Sequence, residues 1–309
     1  LSRLATTEGP KTLEGFAALC EALISSGANR NATVVSIGGG VIQDVTGFLT
    51  STLYRGIRWV YVPTTLLAQA DSCIGAKTSI NFGHFKNLLG SMYPPARVVV
   101  HPPFVETLDE HQFFSGLGEI VKMHIVAGQD ELAHLKSWIV AARLRETVAV
   151  GEITRSSLRI KQRYIEEDEF DRGVRRLLNF GHCFGHAIES ATEFSVPHGQ
   201  AVVLGMVLAG LVSCARGALD RTSLDDYTAR LFVPTLTSAA SLKSLRVDDV
   251  IEAMRHDKKR TGPGLAVVLP RDDWALHLAT DVDEAEAVAV FSELPQALGI
   301  ARAFPERGE

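Results

Sequence analysis

The sequence predicts two domains in tandem, an α/β domain followed by a mainly helical one. Over roughly the first hundred residues, short β-branched runs alternate with segments of helical period, a pattern that packs as a parallel, doubly wound layer. From Phe104 onward long helical periods replace that alternation, and the two prolines of "HPPF" interrupt both periodicities. The expected domains are therefore 1–103 and 104–309.

Each element follows from its own pattern. "KTLEGFAALCEALISSG" places Leu13, Phe16, Leu19 and Leu23 at helical spacing and stops at Gly27. "ATVVSIGGG" is a β-branched run ending in glycines, and "DVTGFLTSTLYRG" reads as the next helix. "RWVYVPTT" and "ARVVVHP" read as strands. Beyond Phe104, helices are expected in "ELAHLKSWIVAARL", "GEITRSSLRIKQRYIEED", "GQAVVLGMVLAGLVSCARG" and "VDDVIEAMRHDKK". Only "GLAVVLP" looks strand-like there.

Composition bounds the partners. In 309 residues, 46% are apolar, 22% are charged and the formal net charge is −5, which suits a globular protein without the basic excess of a nucleic-acid binder. Cys20, Cys73, Cys183 and Cys214 lack CxxC spacing and read as free thiols of a reducing compartment. No membrane span and no targeting segment stand out, so the expected setting is cytoplasmic. The chain begins at Leu1 rather than Met, as a trimmed product or a fragment would.

Three motifs point to chemistry. "SIGGGVIQD" follows a strand and opens a helix, where glycines let a phosphate approach free N–H groups, although a bare strand–helix turn reads the same way. Asp44, in the first turn, either favours the helix dipole or holds a ribose hydroxyl. "GHCFGHAIE" puts His182 and His186 on one helix face, with His198 following in "PHG" and Glu119 standing in the apolar "GLGEIVK". A carboxylate there is costly unless paired or ligating, and two imidazoles with one carboxylate leave an open position on Zn²⁺. Three histidines are available, so one of them is not a ligand. A third group, Asp71, Lys77, Asn81, Lys86, Asn87, Lys122, Lys161, Arg175, Asn179, Lys258 and Lys259, sits among glycines, asparagines and apolar residues. Singly these are solvated charges; together they suit an anionic, hydroxyl-rich ligand such as a sugar phosphate acid.

At this point the chain resembles the dehydroquinate synthases and the wider sugar phosphate cyclase family. The matching stretches are "GGGVIQDVTGF", "YRGIRWVYVPTTLLAQADSCIGAKTSIN", "KNLLGSMYPP", "GLGEIVK", "RRLLNFGHCFGHAIE", "PHGQAV" and "HDKK", in family order from Glu8 to Pro270. The resemblance implies an N-terminal nucleotide-binding α/β domain, a C-terminal, mainly α-helical metal-binding domain and a homodimer. It implies NAD⁺ and a divalent metal, Zn²⁺ or Co²⁺, the metal held by Glu119, His182 and His198. For NAD⁺ it points to Glu8, Lys11, Gly39, Gly40, Asp44, Thr64, Thr65 and Thr107. Substrate contacts would be Asp71, Lys77, Lys86, Asn87, Lys122, Lys161, Arg175, Asn179, His186 and Lys258, with Arg55 reaching the neighbouring subunit's site. Of these, Lys122, His186, Asp71, Lys77 and Asn179 would carry the chemistry.

That chemistry is a transient oxidation by NAD⁺, elimination of phosphate, re-reduction, ring opening and an aldol closure to a carbocycle. The retained Lys161, Arg175 and Asn179 favour a substrate with a carboxylate, 3-deoxy-D-arabino-heptulosonate 7-phosphate, and 3-dehydroquinate as product. The chain departs from the family pattern at Ala76 ("GAK" for "GGK"), at Gln200 after "HG" and at Asp171 before "RGVR". The resemblance also implies a further strand–helix–strand ahead of "EGPK" that this sequence does not contain, absent either from the protein or only from this chain. The alternatives are a secondary-metabolism cyclase of the 2-deoxy-scyllo-inosose or valiolone type and a metal-dependent alcohol or glycerol dehydrogenase. A degenerate metal-binding scaffold is a third.

Overall fold

The computed structural model describes residues 9, 11–83, 85–237, 245–255 and 264–300. The chain divides into two compact units between Leu108 and Asp109.

In the first unit, α1 (Leu13–Ser25) starts where the Thr12 hydroxyl accepts the Gly15 N–H at 3.2 Å. β1 (Thr33–Gly38) and α2 (Gly40–Thr52) follow. The apolar stripe of α1 works as its period predicts: Phe16, Leu19 and Leu23 pack on Val45 and Leu49 of α2 and on Ile80. β2 (Arg58–Pro63) pairs in parallel with β1, Val34 opposite Trp59.

The next two strands, β3 (Lys77–Phe82) and β4 (Phe85–Met92), form an antiparallel hairpin. The sequence reading placed no strands there, because Lys, Asn, Ser and Gly give the segment little β character. Side-chain links across the pair, such as the Thr78 hydroxyl donating to the Ser91 carbonyl at 3.1 Å, add to the ladder. Just before β3, Ala76 has a φ of 63°, the left-handed region, so an alanine carries strain where the family pattern has glycine.

β5 (Arg97–Val98) completes a parallel sheet of order β1-β2-β5. The strand expected from "ARVVVHP" is thus shorter than its β-branched run. Prolines 102 and 103 already open a 3₁₀ turn at Pro102–Thr107.

The second unit begins with α3 (Glu110–Ala127), whose N-terminus is capped by the Asp109 carboxylate. α4 (Gln129–Arg143), α5 (Thr147–Glu167), a 3₁₀ turn at Val174–Asn179, α6 (His182–Ala191), α7 (His198–Ala215), α8 (Arg221–Tyr227) and α9 (Val247–Arg255) follow. β6 (Leu265–Pro270) and β7 (Leu276–Val282) form a hairpin before α10 (Glu284–Ala297), which opens with a capping box from Asp283 and Glu286. β7 was not expected. Its buried Ala279 and Val282 lie three apart, and a register shift in the hairpin breaks the period-two signal.

α7 is the axis of this unit and packs against α3, α6, α10 and β6. Contrary to the sequence expectation, it is long and apolar enough to span a membrane, but 83% of it is buried, as in a core helix. Its approach to α3 and α6 is backbone to backbone. A Cβ on Gly199 would overlap the Ser115 carbonyl, and one on Gly205 would overlap the Gly181 carbonyl. Gly199→Ala is therefore expected to destabilise the protein by about 3 kcal/mol, the upper range for overpacking. Chemical denaturation checks this, and a loss below about 0.5 kcal/mol, the scatter of surface substitutions, would contradict the close packing.

A second device in this unit is pH-sensitive. His124 is wholly buried, with Nδ1 donating to the Ile120 carbonyl at 2.8 Å and Nε2 lying 2.9 Å from the Ser156 hydroxyl. Burial pushes its pKa down to about 4, against the opposing pull of the Ile120 carbonyl and Glu131. The unfolded chain takes up a proton near pH 6.5 that the folded chain refuses until about pH 4. Stability is therefore full above this window and falls by roughly 3 kcal/mol as pH drops through it. His124→Gln should lower the pH slope of stability between these limits by close to one proton per molecule. An unchanged slope would contradict the assignment.

Candidate functional site

The close packing of α3, α6 and α7 brings three side chains of the second unit together. Glu119 lies in the middle of α3, His182 is the first residue of α6 and His198 the first of α7. Gly181, with a φ of 77°, turns the chain into α6. The α7 end is tied to α3 by the Gly199 N–H, which donates to the Ser115 hydroxyl at 2.8 Å.

Glu119 is fully buried and its two oxygens differ. Oε2 accepts from Lys122 Nζ at 2.5 Å, and Lys122 is itself only 2% exposed. Oε1 is buried and has no hydrogen-bond partner among the described residues. Facing it are His182 Nε2 at 3.8 Å and His198 Nε2 at 3.6 Å. The other nitrogen of each ring is committed: His182 Nδ1 donates to the Phe180 carbonyl at 3.2 Å, and His198 Nδ1 to Glu189 Oε2 at 3.0 Å. In the neutral form of each ring this leaves the lone pair on Nε2, the nitrogen that faces Glu119 Oε1.

This donor set fits a small divalent cation. Ligands about 2.0–2.1 Å from a tetrahedral zinc lie about 3.4 Å from one another, close to the spacing here, and an orphaned carboxylate oxygen is the donor such an ion would satisfy. A second group, His186, Glu189 and His198, also lies within reach of an ion. Its histidine rings are nearly parallel, 27° apart, whereas those of His182 and His198 cross at 69°. What separates the two groups is Glu189 Oε2, which already accepts the His198 Nδ1–H at 3.0 Å, whereas Glu119 Oε1 has no hydrogen-bond partner among the described residues.

The electrostatics follow burial. Desolvation holds His182 well below the ordinary imidazole range, helped by the Lys122 charge. Burial also pushes His198 down, but its hydrogen bond to Glu189 and the charges of Glu189 and Glu119 outweigh that and raise it.

Beside this cluster is a cavity of about 320 Å³ lined by Asp171, Arg176, Asn179, His182, Cys183 and His186, with the β6–β7 hairpin behind. The 3₁₀ turn explains which side chains reach it. Residues three apart share a face there, so Arg176 and Asn179 line the cavity while Arg175 and Leu178 are buried. Arg175 is 5% exposed and its Nη1 donates to the Glu169 carbonyl at 2.5 Å. Lys161 is half-buried on α5. Gln200 is buried, with Nε2 donating to the Thr235 carbonyl and Oε1 accepting the Thr237 N–H. That departure from the family pattern therefore serves local structure. Lys258 lies outside the described residues.

In the first unit, Lys11 Nζ meets Asp44 Oδ2 at 2.7 Å. Gly39 is the N-cap of α2, with no side chain capping it, and Gly40 is the first helical residue. Thr64 donates its N–H to the Gly38 carbonyl at 3.0 Å, and the Thr65 hydroxyl accepts the Ala68 N–H at 3.2 Å. Asp71 is half-buried in a π-helical turn at Ala68–Ser72. Lys77, Lys86 and Asn87 are exposed on the β3–β4 hairpin, where Asn87 has a φ of 52°. Arg55 is exposed, and Thr107 donates its hydroxyl to the Phe104 carbonyl at 3.2 Å. Glu8 lies outside the described residues.

Sequence reasoning missed Glu189, Ser115 and Arg176. Glu189 had a legible signal: it lies seven residues after His182, two helical turns along the same face.

Two family descriptions match this chain, 3-dehydroquinate synthase N-terminal over residues 2–115 and 3-dehydroquinate synthase C-terminal over residues 116–260. The 3-dehydroquinate synthase of Sulfurovum sp. is 35% identical over 275 residues, which is 89% of this chain and 77% of the relative. A solved 2-epi-5-epi-valiolone synthase from Streptomyces hygroscopicus subsp. jinggangensis, with NAD⁺ and Zn²⁺ bound, superposes with a TM-score of 0.81 at 28% identity. The match covers 95% of this chain and 82% of that one. A 2-deoxy-scyllo-inosose synthase complexed with carbaglucose-6-phosphate, NAD⁺ and Co²⁺ gives 0.84 at 25% identity, covering 94% of this chain and 81% of that one.

The geometry separates the three histidines by experiment. His182→Ala should abolish tight binding of zinc, measured by competition with a chromophoric chelator. His186→Ala should leave it within about tenfold of the unsubstituted protein, less than the loss expected when a ligand is removed. Metal loss in His186→Ala equal to that in His182→Ala would contradict the assignment.

Proposed function

Because this chain belongs to the 3-dehydroquinate synthase family, we propose that it converts 3-deoxy-D-arabino-heptulosonate 7-phosphate to 3-dehydroquinate, with NAD⁺ and a divalent cation, Zn²⁺ or Co²⁺. It is a 3-dehydroquinate synthase-like enzyme, and the corresponding place in metabolism is the shikimate pathway. The observation that carries the cofactor reading is the buried Glu119 Oε1, which faces two imidazole Nε2 atoms and has no hydrogen bond among the described residues. The solved neighbours with NAD⁺ and Zn²⁺ or Co²⁺ support it.

Glu119, His182 and His198 would hold the cation. The uncapped start of α2 at Gly39 and Gly40 fits the pyrophosphate of NAD⁺, since it lies at the carboxyl end of a parallel strand, where such sheets bind ligands. Glu8, Lys11, Asp44, Thr64, Thr65 and Thr107 remain the proposed companions. When bound, the cation supplies Lewis acidity and NAD⁺ the reversible oxidation that lets phosphate leave.

The residues of the chain do the rest. Lys122 fixes Glu119 by holding Oε2 and brings an ammonium group against developing negative charge. His186 and Asn179, on the cavity wall, hold the phosphate and the sugar hydroxyls. Asp71, Lys77, Lys86 and Asn87 on the first unit, and Lys161, Arg175 and Lys258 on the second, are the further proposed substrate contacts. A cytoplasmic homodimer, with Arg55 reaching the partner's site, completes the proposal.

One observation favours a second reading. Arg175 spends a guanidinium N–H on the Glu169 carbonyl and is almost wholly buried, so a substrate without a carboxylate, as in the inosose and valiolone cyclases, needs nothing from it. Substrate choice decides. Phosphate release should be faster with the seven-carbon acid phosphate than with a carboxylate-free heptulose phosphate. Arg175→Lys should lower kcat/KM for the acid by roughly ten- to a hundredfold, the loss of one charge-assisted contact of about 1.5–3 kcal/mol. Faster turnover of the neutral sugar, with Arg175→Lys indifferent to both, would establish the second reading. NADH accumulating in step with turnover would mark a dehydrogenase instead.

A further inference from the structure

We propose that Glu189 is the positioning residue that aims His198 at the cation. The inference rests on the metal reading above and concerns a residue outside the ligand set. His198 is the first residue of α7, where the N-cap residue, Pro197, makes no side-chain hydrogen bond and the next residue, Gly199, donates its N–H to the Ser115 hydroxyl. Its side chain is 31% exposed, so packing does not enclose it on every side. The contact that orients it is the Nδ1–H donated to Glu189 Oε2 at 3.0 Å.

The consequence is a choice of tautomer. With the Nδ1 proton held by Glu189, Nε2 presents its lone pair toward Glu119 Oε1, 3.6 Å away. Without that acceptor, the proton can sit on Nε2 and be donated to Glu119 instead, a carboxylate–imidazole bond that occupies both metal donors at once. His182 has no such weakness. Its Nδ1 acceptor is the Phe180 carbonyl at 3.2 Å, a backbone atom that no substitution removes. Helix α6 thus supplies one ligand directly from its first residue, and seven residues on it supplies the acceptor that orients the other. Glu189 is only 14% exposed, so this bond is shielded from water.

Glu189 also belongs to the outer donor group with His186 and His198, so a ligand role is the competing assignment. Glu189 Oε2 already accepts the His198 Nδ1–H at 3.0 Å, which speaks against it. In addition, the Nδ1 of His198 cannot both donate to Glu189 and bind an ion beside it.

The test compares the full-length protein with Glu189→Ala, Glu189→Gln and His182→Ala, each freed of metal and titrated with zinc against a chromophoric chelator. Losing an outer-shell partner weakens metal binding by 10–100-fold. Glu189→Ala should show that loss, and Glu189→Gln, whose amide oxygen still accepts from Nδ1, should recover most of it. His182→Ala should lose tight binding altogether. Cobalt-loaded Glu189→Gln should keep the visible absorption bands of the unsubstituted protein, because the ligands are the same. Equal zinc affinity in Glu189→Ala and the unsubstituted protein would overturn the inference and leave the metal reading standing. A shifted cobalt spectrum, or a loss in Glu189→Gln as deep as in Glu189→Ala, would make Glu189 a ligand and also overturn it. An unsubstituted protein that binds no zinc would overturn both the inference and the reading beneath it.

Discussion

The second unit depends on how closely α3, α6 and α7 can approach. Ordinary side chains keep helix axes about 8–10 Å apart. Glycine on the contact lets the backbones touch, and here Gly199 meets the Ser115 carbonyl and Gly205 the Gly181 carbonyl. The first residues of α6 and α7, His182 and His198, are thereby carried to the middle of α3, where Glu119 waits. The histidines stand at helix starts, where the chain is turning, and the carboxylate stands on a rigid helix interior. The site inherits its geometry from the packing of the scaffold.

That packing creates an electrostatic problem which the site then uses. Glu119 and Lys122 are both buried, one turn apart on α3, and an ion pair removed from water repays its desolvation only when its remaining atoms are satisfied. Oε2 is satisfied by Lys122; Oε1 has no hydrogen-bond partner among the described residues. A carboxylate oxygen that faces two imidazole Nε2 atoms with no hydrogen bond among the described residues is a poor core element and a good cation site. Burial also keeps His182 neutral, the state in which an imidazole can ligate.

Much of this was legible in the sequence, and the limits were physical. The first α/β segment could be read because α1 and α2 face one core and keep a clean 3.6 period, and because β1 and β2 are β-branched. The β3–β4 hairpin was hidden by its lysines and asparagines, and β7 by a register shift that spaces its buried residues three apart. At the candidate site, the residue types and spacing named Glu119, His182 and the neighbouring histidines, and the family resemblance chose His198 over His186. The division of Arg175 from Arg176 was beyond reach, since it turns on whether one turn is 3₁₀ or α-helical. Glu189 was missed because a glutamate on a helix face ordinarily reads as a solvated charge. Only the fold shows that the first residue of α7 lies against it.

The proposed divalent cation would sit between Glu119 Oε1 and the Nε2 atoms of His182 and His198. Anomalous diffraction at the zinc edge, from crystals of this chain grown with zinc, tests it most directly. A single strong peak per chain is expected within bonding distance of those three atoms, with the His198 Nδ1–Glu189 hydrogen bond intact. A peak ligated by His186 and Glu189, or no ordered zinc at the three-helix junction, would contradict it.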